Sequence, residues 1–232
     1  MASALNLSVN ELWALLTRTF EALYGHERDY YDLARTVLWL ECHGHDGISQ
    51  LMEALPVLEN TQLLEASLAE TRPGHHVIDG KGHSLFCIGK SICDLAMAYA
   101  SEAGTSHLEI MNVTDHKPLI GVLSYAASQG FFAISICKDE RAIIEGHAKH
   151  PTLYKNNTDN LILICSRTEE VLREYLTEGS EVLIEAKAQK DRYACSLEHG
   201  VQIQQSHYEA LNIIANRVLV EASEFSRRGA GE

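Results

Sequence analysis

Between Gly104 and Lys138 the chain reads GTSHLEIMNVTDHKPLIGVLSYAASQGFFAISICK, and no other stretch limits the fold as strongly. Leu108, Ile110 and Val113 make a roughly alternating apolar run, the period of a strand. Val122, Tyr125, Ala126 and Gln129 recur at helical spacing, and Gly130 stands where a helix would stop. Phe131 to Cys137 is aromatic and β-branched, as expected of a buried strand. Strand, loop, helix and strand form a crossover unit. Asp115, His116 and Lys117 fall in the loop after its first strand, where α/β proteins usually site their chemistry.

Upstream of this unit the chain reads as helices. Ser8-Val9-Asn10-Glu11 is a capping box, followed by an apolar stripe through Leu12, Leu15, Leu16, Thr19, Ala22 and Leu23. A second helix is predicted from Asp29 to Cys42, with Trp39 off its stripe and free to meet another layer or a partner. The run HGHDG ends it, and a third helix carries Leu51, Met52, Leu55 and Leu58. Thr61 is expected to cap a short fourth helix ending near Ala69. Residues 1–70 are thus read as a helical N-terminal arm or subdomain, and 71–232 as an α/β core.

In the core, TRPG at Thr71 to Gly74 reads as a turn. Val77 to Gly80 and Leu85 to Ile88 read as a strand pair, with a helix from Ser91 to Ala103. The polar segment from Lys138 to Asn157 is given one short helix. Asn160 to Cys165 reads as a strand and Thr168 to Thr177 as a helix with acids in its first turn. The alternating EVLIEAKA from Glu181 to Ala188 reads as a strand, and Ser206 as the cap of a last helix.

A net charge of −13 argues against nucleic acid or an anionic membrane as the main partner, since both recruit Lys and Arg. No apolar run is long enough to span a bilayer, and the N-terminus lacks a basic start, so a cytoplasmic protein is expected. The six cysteines contain no CxxC pair and read as small buried hydrophobes.

Motif by motif, several chemistries lack support. GxGxxG is absent, and Ile88-Gly89-Lys90-Ser91 has Ser84 where a phosphate loop needs its first Gly. No GxSxG elbow occurs. His43, His45 and Asp46 could form half a metal site with His75, His76, His147 or His150, but no ligand spacing links them, so no metal is assigned. His107 is read as a buried, satisfied histidine at the start of a strand.

Four stretches together carry a resemblance. They are Glu41 to Gly47 (ECHGHDG) after the first helices, Asp79-Gly80 with the helix after it, Asn112 to Ile136, and Lys155 to Cys165 (KNNTDNLILIC). In this order they resemble the malate/L-lactate dehydrogenase family that is unrelated to the Rossmann dehydrogenases. The C-terminal sequence from Asn216 is similar to a shortened branch of that scaffold. The resemblance implies an α/β fold with a mixed sheet, flanking helices and an N-terminal helical arm. It also implies reduction of 2-oxo acids or cyclic imines with NAD or NADP as cofactor, and a homodimer.

Carried over by position, Asp46 matches the family's motif Asp and His116 its loop His. The Ser-His pair that holds the family's proton donor falls on Gly47 and Ile48, and isoleucine cannot donate a proton. Three expectations follow. In the first, the chain binds a small carboxylate or a nucleotide and has lost or altered hydride transfer. In the second it is a working reductase with His116 as proton donor, Lys117 or His45 holding the substrate, and Asp46 beside them. In the third it is a non-catalytic partner subunit.

Overall fold

A computed structural model describes residues 3–25, 29–60, 66–72, 74–176 and 180–218. A short strand β1 (Ala4–Leu7) leads into α1 (Val9–Tyr24), α2 (Tyr30–Cys42) and α3 (Gly47–Asn60). The capping box forms as its sequence predicts: Ser8 Oγ accepts from the Glu11 amide at 3.2 Å, and Glu11 Oε2 accepts from the Ser8 amide at 2.8 Å.

The core continues as β2 (Ser67–Arg72), β3 (His75–His83), α4 (Leu85–Ala103), β4 (Thr105–Val113), α5 (Pro118–Ser128) and β5 (Phe132–Cys137). After these come β6 (Glu140–Ile144), β7 (Thr152–Lys155), β8 (Ile162–Ser166), α6 (Glu170–Tyr175) and β9 (Val182–Ile184). The chain closes with α7 (Ala186–His199), β10 (Val201–Gln204), α8 (Gln205–Ala215) and a 3₁₀ turn at Asn216–Val218.

Eight strands form one mixed sheet in the order β2-β3-β4-β8-β5-β6-β7-β9, while β1 and β10 pair separately. Among the described residues only β3 and β4 are parallel neighbours, joined through α4; the other pairs in the sheet are antiparallel. The crossover from β4 through α5 to β5 is present, with β8 inserted between its two strands. Helices α4 and α5 cover one face of the sheet through Leu108, Ile110, Leu119, Leu123 and Ala133. On the other face Ile134, Ile136, Ile143, Ile162 and Ile164 pack with Val171 and Leu172 of α6. Helices α1 to α3 and α8 share a further core with the β1–β10 ribbon. Trp39 packs against both this core and the one under the sheet, so its place off the α2 stripe serves a second layer.

Several sequence expectations are corrected. Leu85 to Ile88 is the first turn of α4, not a strand, so the helix starts ahead of Ser91 with Ser84 as its cap, accepting from the Phe86 amide at 3.1 Å. Leu85, Phe86 and Ile88 are all buried, and a short apolar run buried all round has no period to separate helix from strand. Ser67 to Ala69 belongs to strand β2, while 61–65 lie outside the described residues. The segment from Lys138 to Asn157 holds strands β6 and β7 in place of a helix. EVLIEAKA splits into the short β9 and the start of α7, a helix missed because Gln189 is its one buried residue and it shows no apolar stripe. Helix α8 has Gln204 as its N-cap residue, with no side-chain cap, in place of Ser206. Cys42, Cys93, Cys137 and Cys165 are buried thiols, as their surroundings predicted, but Cys87 is half-buried and Cys195, on the polar helix α7, is exposed. Among the described residues no helix is long and apolar enough to cross a membrane.

Candidate functional site

Helix α2 ends at the turn His43 to Asp46, which must reverse the chain sharply into α3. Gly47 makes this possible: a Cβ there would collide with the Val37 carbonyl oxygen and stand 2.8 Å from the Glu41 amide nitrogen. Glu41 then reaches across the turn, accepting from the Ile48 amide at 2.8 Å. Burial raises the Glu41 carboxyl above the usual glutamate range, the Ile48 hydrogen bond opposing that shift. Asp46 sits at φ 52°, a left-handed position open to Asp at modest cost, and its side chain is left exposed.

The opposite wall is the loop from β4 into α5. Asp115 anchors it: the carboxylate accepts from the Leu85 amide at 2.7 Å and from the Ser84 hydroxyl. Burial raises the Asp115 pKa, and the Ser84 and Leu85 hydrogen bonds act against it. The Thr114 amide adds a hydrogen bond to the His83 carbonyl at 3.1 Å. The loop is thereby strapped to the start of α4, which leaves His116 and Lys117 exposed beside the N-terminus of α5. Pro118 opens that helix, a position where its missing N–H is not needed.

Between the two walls lies a cavity of about 460 Å³. Asp46, Gln50 and Glu53 line it from the α3 side, and Asp115, His116 and Lys117 from the loop side. Gln50 donates through Nε2 to the His45 carbonyl, leaving its buried Oε1 with no hydrogen-bond partner. The cavity is the size of a pocket for a small organic ligand, and it mixes one ammonium, one imidazole and three carboxylates.

Of the residues singled out from sequence, Asp46, His116 and Lys117 share this cavity and His45 does not line it. His45 is buried, with Nε2 3.0 Å from Gln189 Oε1, and Gln189 donates in turn to the Pro151 carbonyl at 2.5 Å. This makes Nε2 the protonated nitrogen of His45, and burial lowers its pKa. Ile48, at the position where the sequence resemblance led us to expect a proton donor, is 2 % exposed and belongs to the core of α1 to α3. Gln50 and Glu53 were not picked out from sequence. Their signal was there, since Asp46, Ser49, Gln50, Glu53 and Val57 recur at helical spacing after the HGHDG turn. His107, expected to be satisfied, stacks on His75 at 3.9 Å and has a buried Nδ1 without a partner. Among the described residues no three His, Cys, Asp or Glu side chains converge as a metal site.

Comparison with solved structures decides what this arrangement is built on. A dehydrogenase from Sinorhizobium meliloti superposes with a TM-score of 0.70 at 14% identity, over 92% of this chain and 100% of that one. Malate dehydrogenase from Pyrococcus horikoshii OT3 gives 0.67 at 13%, over 95% and 98%. The chain has the malate/lactate dehydrogenase-like fold. Sulfolactate dehydrogenase from Methanocaldococcus jannaschii, at 0.66 and 13%, covers 91% of this chain and 97% of its own. At these identities the likeness is one of fold. In sequence, residues 7–80 match a family described as Protein of unknown function (DUF3726). No curated protein matches the chain.

Proposed function

We propose that this protein binds a small hydroxy acid in the cavity between α3 and the β4–α5 loop, and that it has lost hydride transfer of the kind its structural neighbours are named for. One observation carries the reading. The two walls of the cleft are built and anchored, yet the position expected to carry a proton donor is Ile48, turned into the helical core.

The chemistry of the cleft supports an acid of this class. The Lys117 ammonium and the positive end of α5 favour a carboxylate at the loop wall. Gln50 Oε1 is an acceptor in want of a donor, which a hydroxyl next to that carboxylate would supply and a keto oxygen would not. A dinucleotide suits the cleft poorly. Asp46 and Glu53 present carboxylates where a pyrophosphate would need cations or a nest of amides. NAD and NADP therefore have no part in the binding proposed. A second reading, reduction with His116 as proton donor, has in its favour that His116 is exposed on the same cavity wall. Homodimeric assembly and descent through a shortened branch belong to this proposal on the strength of the sequence resemblance, and a cytoplasmic setting is proposed with them.

Calorimetric titration with malate, and with succinate as the same acid lacking the hydroxyl, tests the reading. Malate is expected to bind about tenfold more tightly, the worth of one satisfied buried acceptor, and Lys117→Gln to weaken it. Equal binding of the two acids, or none, would remove the assignment.

A further inference from the structure

A second cavity, of about 480 Å³, lies on the other side of the His43 turn, against α2, α5 and the β6–β7 loop. One wall is a set of nearly parallel rings. Trp39 stacks on His43 with centroids 4.0 Å apart and 14° between planes, and His43 stacks on Tyr193 at 5.0 Å and 11°. A hydrogen-bond chain holds the central ring. His43 Nδ1 donates to the Trp39 carbonyl at 2.6 Å, so its Nε2 is the acceptor for His150 Nδ1 at 3.1 Å. Burial lowers the His43 pKa to about 4, with its histidine neighbours adding to the shift, so the wall is uncharged at neutral pH.

The two ionised side chains that line this cavity carry the same sign. In a chain of net charge −13, the ionised side chains lining the cavity are Arg35 and Lys149, with no carboxylate among them. Arg35 is already partly neutralised by Asp32 at 3.2 Å. Lys149 is exposed and, among the described residues, has no acidic partner, while Ser124 and Ser128 add hydroxyls. A lysine without an acidic partner next to a flat aromatic wall is a recognisable combination: a planar body for the rings and an anionic group for the ammonium.

From this juxtaposition we infer that the cavity is a separate binding site for an aromatic carboxylate, its ring against Trp39 and His43 and its acid group on Lys149. The site does not depend on the function proposed for the first cleft, with which it shares no lining residue.

Calorimetry with phenylacetate as the probe, and phenylacetamide as its uncharged counterpart, tests the inference on the whole chain. Phenylacetate should bind about tenfold more tightly than the amide, the gain from one charge-assisted contact at a half-open site. Lys149→Gln, an exposed change that leaves the fold intact, should erase that difference without altering amide binding, whereas Lys117→Gln in the first cleft should leave both ligands unaffected. The inference is overturned if neither ligand binds, if acid and amide bind alike, or if Lys117→Gln rather than Lys149→Gln removes the preference.

Discussion

Ile48 is the residue on which the functional reading turns, and its surroundings say why a polar side chain would not be accommodated there. It is 2 % exposed among Leu51, Leu55 and the facing side chains of α1 and α2, while its amide is spent on Glu41. Ile48→His would introduce the residue that the sequence resemblance leads one to expect there but place an imidazole in an apolar core. A loss of about 2–4 kcal/mol in chemical denaturation is expected, with no gain of dehydrogenase activity. His43 offers a test by pH. Its pKa is depressed to about 4 from 6.5, so below about pH 6.5 the unfolded chain takes up a proton that the folded chain refuses. Stability from this residue is present above that pH and lost as pH falls toward 4. Burial-raised Glu41 and Glu140 act in the opposite sense. The comparison that isolates His43 is therefore His43→Gln, which should be less stable than the native chain at pH 7 and lose less on going to pH 5 by thermal melting.

Among the elements, the junction of β3, α4 and β4 decides whether the cleft has a second wall. Ser84 caps α4 and donates to Asp115, so one side chain holds both the helix start and the His116 loop. Ser84→Ala should cost about 1–2 kcal/mol of stability and speed amide exchange at His116 and Lys117, measurable by hydrogen exchange. This junction also shows what a sequence can and cannot disclose. The strand, loop and helix around His116 were legible because their apolar residues face one core and keep a period. Leu85 to Ile88 was misread because burial on every side erases the period, and α7 was missed because it buries one glutamine and no apolar stripe. Gln189, fully buried, is the reason α7 matters: it fixes the ring of His45, a link between residues 144 apart that no local pattern carries.

For the molecule as a whole, the mixed sheet and helical layers agree with the fold expected from four dispersed motifs, and the solved structures share it at 13–14% identity. The site was legible only in part. Asp46, His116 and Lys117 converge, His45 is turned toward Gln189, and Gln50 and Glu53 join from α3. The shared fold, with a core isoleucine where the sequence resemblance led us to expect a proton donor, underlies the central proposal, a cleft that binds an acid without oxidising it. Isothermal titration of malate into the protein with NAD or NADP present separates the two outcomes directly, because binding gives heat that saturates and turnover gives heat that persists. The expected result is one saturable site with no nicotinamide reduced; sustained heat with accumulating NADH or NADPH, abolished by His116→Ala, would contradict it.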